Sequence, residues 1–413
     1  MTILFTAIVS FRSIPRILQL FLSEGEWVPH FTSVINWSLQ LGLSLLKFVA
    51  PIDEPWLAII DNSIDIGTKK ALVVLRVKLS SLSERGSAIT LEDCECIGLK
   101  INEISDGKAI ADALDEAFAY AGSPIAILKD GGSDLKKGVE LLNKNRRLKI
   151  ETIDDVGHSF ANALKAYFGK NFIFNKFLEL VSCFSKQLRQ TNLAFLIPPK
   201  IRTKGRYQSL LRLAEWAVLI INFIKKTDES FEYKKVRDIF SSLPFLKNII
   251  REFVNAVEES SRILKILKNE GFTKETIKEI NPIVEGIENK KIKEAISAWI
   301  TKHLEIYNRL EFNSLPMIVS SDAIESLFGR FKNIQSRGSI KDMNRSALLI
   351  PALCGSIRPE LINIFLKETK LEEVEKWDCL NIPYTQNEKR RKFIQENTNK
   401  NCRESGKLYS YAA

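Results

Sequence analysis

The stretch "AGSPIAILKDGG", residues 121–132, decides the fold. Four apolar residues, Ile125 to Leu128, lead through Lys129 into Asp130 and two glycines. A short aliphatic run bounded by Gly-Ser-Pro and Gly-Gly reads as a buried strand ending on a carboxylate. The segment before it, "SDGKAIADALDEAFAYAG", carries Ile110, Leu114 and Phe118 at helical spacing, with an acidic start and a terminal glycine. The segment after it reads as a helix from about Asp134, "DLKKGVELLN". Strands separated by such crossover helices pair in parallel, and the crossovers are right-handed.

Working outward, "WLAIID" (56–61) and "ALVVLRVKL" (71–79) read as two strands of a hairpin, with "NSIDIGTKK" as the turn. "CECIGLKI" is a third strand, and "RLKIETID" a fifth, followed by the helix "VGHSFANALKAYF". The order is three strands, helix, strand, helix, strand, helix, which is an α/β chain with a mixed sheet and flanking helices. Residues 171–309 lose the strand pattern and read as an all-helical insertion, with runs such as "FLELVSCFSKQL" and "IKEAISAWITKHLEIY". The organisation expected is a helical region 1–50, a first α/β part 51–170, the insertion 171–309, the final helices of the α/β domain 310–370, and a basic tail 371–413. Residues 1–50 read equally as a partial helix-turn-helix or as a helical packing arm.

Bulk composition limits the function. The 413 residues carry 60 Lys and Arg against 50 Asp and Glu, a net charge of +10 that favours a polyanionic partner. A hydrophobic share of 45% argues for a folded chain of two or three domains. Six scattered cysteines suit a reducing compartment, and three histidines leave little for a zinc site. The opening "MTILFTAIVSF" is too short to span a bilayer and lacks a cleavage pattern, so a soluble, cytoplasmic protein is expected, without membrane partners.

Three carboxylates carry the chemistry. Asp61 ends the first strand run and Asp130 the strand after the first crossover helix; ligands of open α/β sheets collect at such carboxyl ends. Two neighbouring acids repel unless a cation neutralises them, and magnesium fits, with Gly131 and Gly132 leaving room for a phosphate. Taken singly, each aspartate is also ordinary turn chemistry. The third acid is Glu325 in "SSDAIESLFGRFKN", beside the apolar stripe of Ile324, Leu327, Phe328 and Phe331. The competing reading there is a capping box, with Asp322 as N-cap and Glu325 three residues on.

Together, "WLAIIDNSIDIGTKKALVVLRV", "SPIAILKDGGSDLKKGVELL" with "IDDVGHSFANALKAYF", and "SSDAIESLFGRFKN" resemble the DDE transposases of bacterial insertion sequences, over roughly residues 55–350. The resemblance implies a ribonuclease H-like fold interrupted by a helical insertion. It implies that Asp61, Asp130 and Glu325 are catalytic and hold two Mg2+ ions, for which Mn2+ substitutes. The implied reaction is cleavage and strand transfer at element ends, on double-stranded DNA, by a homo-oligomer that pairs those ends in the nucleoid. Certain bacterial relatives carry a tyrosine, an arginine and a lysine around the glutamate; Lys332 matches, while Ile318 and Ser321 do not.

For DNA contacts, "PPKIRTKGRYQ" (198–208) puts Lys200, Arg202, Lys204 and Arg206 at alternate positions beside Tyr207. Arg330 and Lys332 follow Glu325, and Trp216 or Trp299 would stack a flipped base, with core packing as the plainer role of each tryptophan. His158, behind Asp154 and Asp155, is either an auxiliary of the site or structural. The alternatives to a transposase are a structure-specific nuclease on the same fold and a non-catalytic DNA-binding transposon remnant.

Overall fold

The structure is a computed structural model of the whole chain. It describes all residues except 1, 8, 24, 67–68, 86–88, 103–105, 201–205, 226–230, 313–314, 337–341, 356–358 and 396–413, and leaves undescribed the side chains of 2, 63–66, 83–85, 206–208 and 231–233. The chain divides into two compact units: residues 1–81, 89–152 and 321–413 form the first, and 82–88 with 153–320 the second.

The first unit begins with α1 (Thr2–Ala7), α2 (Ser13–Gln19) and α3 (Phe31–Lys47). Then come β1 (Trp56–Ile66), β2 (Lys69–Lys78), α4 (Leu79–Arg85), β3 (Cys94–Asn102), α5 (Gly107–Ala121), β4 (Ala126–Lys129), α6 (Ser133–Arg146) and β5 (Glu151–Asp154). They make a mixed five-stranded sheet in the order β3-β2-β1-β4-β5, with β1–β2 and β2–β3 antiparallel and β1–β4 parallel. The α/β expectation holds. Ala58, Ile60, Leu72, Val74 and Ile127 face α5 and α6, burying Ile110, Leu114, Phe118, Leu135 and Val139 against the sheet. Local signals set the helix ends: Asp106 caps α5 by accepting the Ala109 N–H at 2.8 Å, and Gly122 closes it at φ +81°.

Three expectations change. β1 does not end at Asp61 but runs five residues further, still paired with β2, so most of "NSIDIGTKK" is strand. The helix α3 is no exposed DNA-reading helix: Val34, Leu39, Leu41 and Leu43 are buried, and it packs on β3, the sheet's edge strand. A recognition helix needs a free face for the major groove, and α3 spends its own covering a sheet edge. The expected tail 371–413 is folded through residue 395. After α7–α13 of the second unit come α14 (Asp322–Gln335), α15 (Leu349–Ala352), α16 (Pro359–Glu368), α17 (Leu371–Asn381) and a last helix at residues 386–395. Gln40 and Ser44 of α3 hold the turn at Thr369, and Lys47 pairs with Glu373.

The second unit holds α7 (Val156–Phe168), α8 (Phe172–Leu188), α9 (Arg206–Ile224), α10 (Phe231–Ile239), α11 (Lys247–Glu270), α12 (Lys274–Glu285) and α13 (Lys290–Arg309). Its pairing among the described residues is the single bridge Phe272–Met317. The insertion therefore starts near residue 153, not 171, because α7 packs on α9, α11 and α13. Its core is aromatic, with Phe168, Phe174 and Phe253 ring to ring.

His303 pins the entry to this unit. Its Nδ1 lies 2.7 Å from the Trp299 carbonyl and must donate to it, so Nε2 is left to accept the Asp154 N–H at 3.0 Å. The ring is fully buried and stacks on Trp299 at 3.9 Å. His303→Leu should destabilise the protein by about 2 kcal/mol, since a buried N–H loses its acceptor; denaturant unfolding monitored in the far UV measures it.

Candidate active site

The pairing of β1 with β4 ends at Ile60–Lys129, and the two acids come one residue later on each chain, Asp61 and Asp130. Neighbouring strands run about 4.8 Å apart, and alternation turns both side chains away from the face of Ile60 and Ile127. Immediately after Asp61 the register with β2 slips between Asp61 and Ile64, a bulge that twists the strand just past the acid. Asp61 is buried, 9% exposed, and its Oδ1 accepts the Asn62 backbone N–H at 2.6 Å.

Asp130 sits in the turn between β4 and α6, half-buried, with Oδ1 accepting the Gly132 N–H at 2.8 Å. This is an Asx turn, so the turn reading of Asp130 is correct as local geometry. It leaves the second carboxylate oxygen outside that bond. A Cβ at Gly132 would lie 2.8 Å from Oδ1 of both Asp130 and Asp134, so a larger residue there would displace the two carboxylates. The two carboxylates thus flank one glycine.

Sequence reasoning overlooked two neighbours. Asp134, read only as a helix start, faces the Asn62 amide at 3.4 Å. Lys129 is 2% exposed and donates to the Asp130 carbonyl at 3.3 Å, placing a buried cation against the acidic turn. The "DGGSD" spacing was the available signal for Asp134; nothing local announced Lys129.

Glu325 lies on α14, which packs against β1, so all three acids belong to the first unit. Ile324, Leu327, Phe328 and Phe331 are buried as expected, while Glu325 itself is exposed. The capping box does not form: Ser321, not Asp322, is the N-cap, and its side chain makes no cap hydrogen bond. The donors available from Asp61, Asp130, Asp134 and Glu325 are oxygens, the set that suits a hard divalent cation. Among the described residues, however, no three His, Cys, Asp or Glu side chains are gathered to hold an ion. Asp61 and Asp130 each follow the last paired residue of the parallel β1–β4 ladder, and Glu325 lies on α14, which packs against β1.

The other candidates separate. Lys200 is exposed; Arg202 and Lys204 lie outside the described residues, as does the side chain of Arg206 at the start of α9. Arg330 and Lys332 are half-buried on α14. Trp216 is corrected to a core residue: it is 8% exposed, donates its indole N–H to the Leu196 carbonyl at 3.0 Å and packs edge-on against Phe240. Trp299 is equally buried, between Phe160 and Phe272. His158 is tied locally, its Nδ1 3.0 Å from Asp155, the residue that caps α7.

The three buried thiols are structural. Cys94 and Cys96 are buried on one side of β3, and burial pushes both up to about 12; Cys354 is raised by burial as well. Thiols so protonated are poor nucleophiles. Among the described residues no helix is long and apolar enough to cross a membrane.

No protein-family model matches the chain, and no curated protein matches it in sequence. Among solved structures it is similar to the Drosophila P element transposase strand transfer complex, at 12% identity over 82% of this chain and 88% of that one, with a TM-score of 0.41.

Proposed function

We propose that this chain is a DDE-type transposase built on a ribonuclease H-like sheet, cutting double-stranded DNA at the ends of an insertion sequence and joining them to a target. The observation that supports the reading is the parallel β1–β4 pair, whose register ends at Ile60 and Lys129, one residue before Asp61 and Asp130. The sheet order, an antiparallel three-stranded meander extended by β4 parallel to β1 and then by β5, agrees with that fold.

Asp61, Asp130 and, from α14, Glu325 would hold two Mg2+ ions. When bound, such ions activate an attacking water or 3′-hydroxyl and neutralise the leaving oxygen. The chain's own part is positioning. The Asn62 N–H fixes one oxygen of Asp61 and the Gly132 N–H one oxygen of Asp130, so each carboxylate presents a defined edge. The small turn at Gly131 and Gly132 gives a phosphodiester close approach to the backbone. Arg330 and Lys332, on the helix of Glu325, and Lys200 with its neighbours supply cations for the DNA backbone. Element ends are paired by a homo-oligomer.

The test is a magnesium titration of nicking and strand transfer on duplex DNA carrying the element's ends. Wild type should require the metal, and Glu325→Gln should lose about 100-fold or more in rate while its half-saturating magnesium rises. Cleavage without joining would assign the protein to the structure-specific nucleases. Binding without cleavage at any metal concentration would make it a DNA-binding remnant.

A further inference from the structure

We infer that the last helix, residues 386–395, is a clamp for the phosphate backbone of duplex DNA beside the acid pair. Its sequence is "QNEKRRKFIQ", with Lys389, Arg390, Arg391 and Lys392 in succession against one carboxylate, Glu388. That carboxylate is engaged in the helix cap: Glu388 accepts from the Thr385 N–H at 2.7 Å and from its hydroxyl at 2.9 Å, while the Glu388 N–H donates back at 3.3 Å. A capping box of this kind fixes the start of a short helix. The cations follow directly behind it, with Arg390, Arg391 and Lys392 exposed. Phe393 and Ile394, 69% and 57% exposed, extend the same end of the helix.

The helix is anchored as well as basic. Lys69, 2% exposed, donates to the Tyr384 carbonyl, and the Gln386 N–H donates to Asp342. Lys392 reaches back over the Tyr384 ring at 3.8 Å. Burying a lysine is costly unless its partner is fixed, so the Lys69 contact holds this root in one place. That place is informative. Lys69 pairs with Ile66, the end of β1, and Ile66 lies five residues beyond Asp61 in the direction of the strand's carboxyl end. Five residues of strand span roughly 17 Å. The root of the helix therefore lies beyond Asp61 in the carboxyl direction of β1, a separation that a duplex of a few turns spans. Four adjacent cations call for a polyanion, and the position selects DNA over other polyanions. This choice of ligand rests on the proposed function; the binding surface does not depend on catalysis.

The experiment separates the two. Binding of the full-length protein to a 30-base-pair fluorescent duplex is measured by anisotropy in EDTA at several salt concentrations, for wild type, Arg390→Ala/Arg391→Ala and Asp130→Asn. Loss of two phosphate contacts should flatten the slope of log affinity against log salt by about 1.8 and weaken binding about tenfold near physiological salt. Asp130→Asn should keep the wild-type slope. An unchanged slope and affinity in the double variant, with an unchanged melting temperature, overturns the clamp, even if the acids prove catalytic. Unchanged DNA binding with lost affinity for phosphatidylserine vesicles overturns it in favour of a membrane surface. Should Asp130→Asn still nick DNA when magnesium replaces the EDTA, the catalytic reading fails while the altered slope of the double variant keeps the clamp.

Discussion

Asp61→Asn and Asp130→Asn, made singly, are each expected to lower metal-dependent nicking about 10³-fold or more, while duplex affinity stays level or rises slightly. The substitution is nearly isosteric. The new side-chain amide would keep an oxygen for the Asn62 N–H in the first variant and for the Gly132 N–H in the second, so the bulge and the Asx turn survive. What disappears is a negative charge at the position proposed for an ion, and with it several kcal/mol of transition-state stabilisation. The affinity prediction has the opposite sign because each acid also repels the DNA phosphate. Nicking of supercoiled plasmid, beside a circular-dichroism spectrum to confirm folding, decides it. Wild-type nicking by either variant would remove that residue from the site.

The second large effect is structural. Gly42 lies on α3 where the helix meets the Leu348 backbone, and a Cβ there would stand 1.6 Å from the Leu348 carbonyl oxygen and 2.7 Å from its carbon. Neither partner is a flexible side chain, so Gly42→Ala must push the helix away from the segment leading into α15. Overpacking against immovable backbone belongs at the high end of single-site effects, about 4 kcal/mol, or about 10 °C in melting temperature for a unit of this size. Gly329, on the exposed face of α14 with nothing within 4 Å of its Cβ position, is the matched control. Gly329→Ala should stabilise by up to about 1 kcal/mol through helix propensity alone. Thermal melts of the pair, one falling and one rising, check both.

Much of the first unit was legible because local pattern and tertiary role agree there. The runs at 71–78, 94–101 and 126–129 are strands, and α5 begins and ends where its aspartate cap and its glycine say. The continuation of β1 was readable too: Ile64 and Ile66 alternate with Ser63 and Asp65. Its polarity suggested a turn because β4 ends at Lys129 and leaves that part of β1 paired only with β2. Periodicity failed where it is silent about partners. An amphipathic helix shows which face is apolar but not which body it joins, so α7 was given to the sheet and packs with α9, α11 and α13. For the same reason, α3 read equally as part of a DNA-reading module and as a packing arm, and it covers an edge strand. Strand order made Asp61 and Asp130 neighbours in the sequence reading, and the parallel β1–β4 register, ending one residue before both, agrees with that adjacency. Asp134 and Lys129 were missed because their roles arise from the turn's closure in space.

The first unit is assembled from three separated stretches of chain, with 168 residues of the second unit, 153–320, threaded between β5 and α14. During synthesis the sheet must therefore wait. β1 to β5 leave the ribosome long before α14 and α17 arrive to close over β1 and β3, and an all-helical body is made in the interval. Messages interrupted anywhere inside that interval yield polypeptides with an uncovered hydrophobic sheet, prone to aggregate.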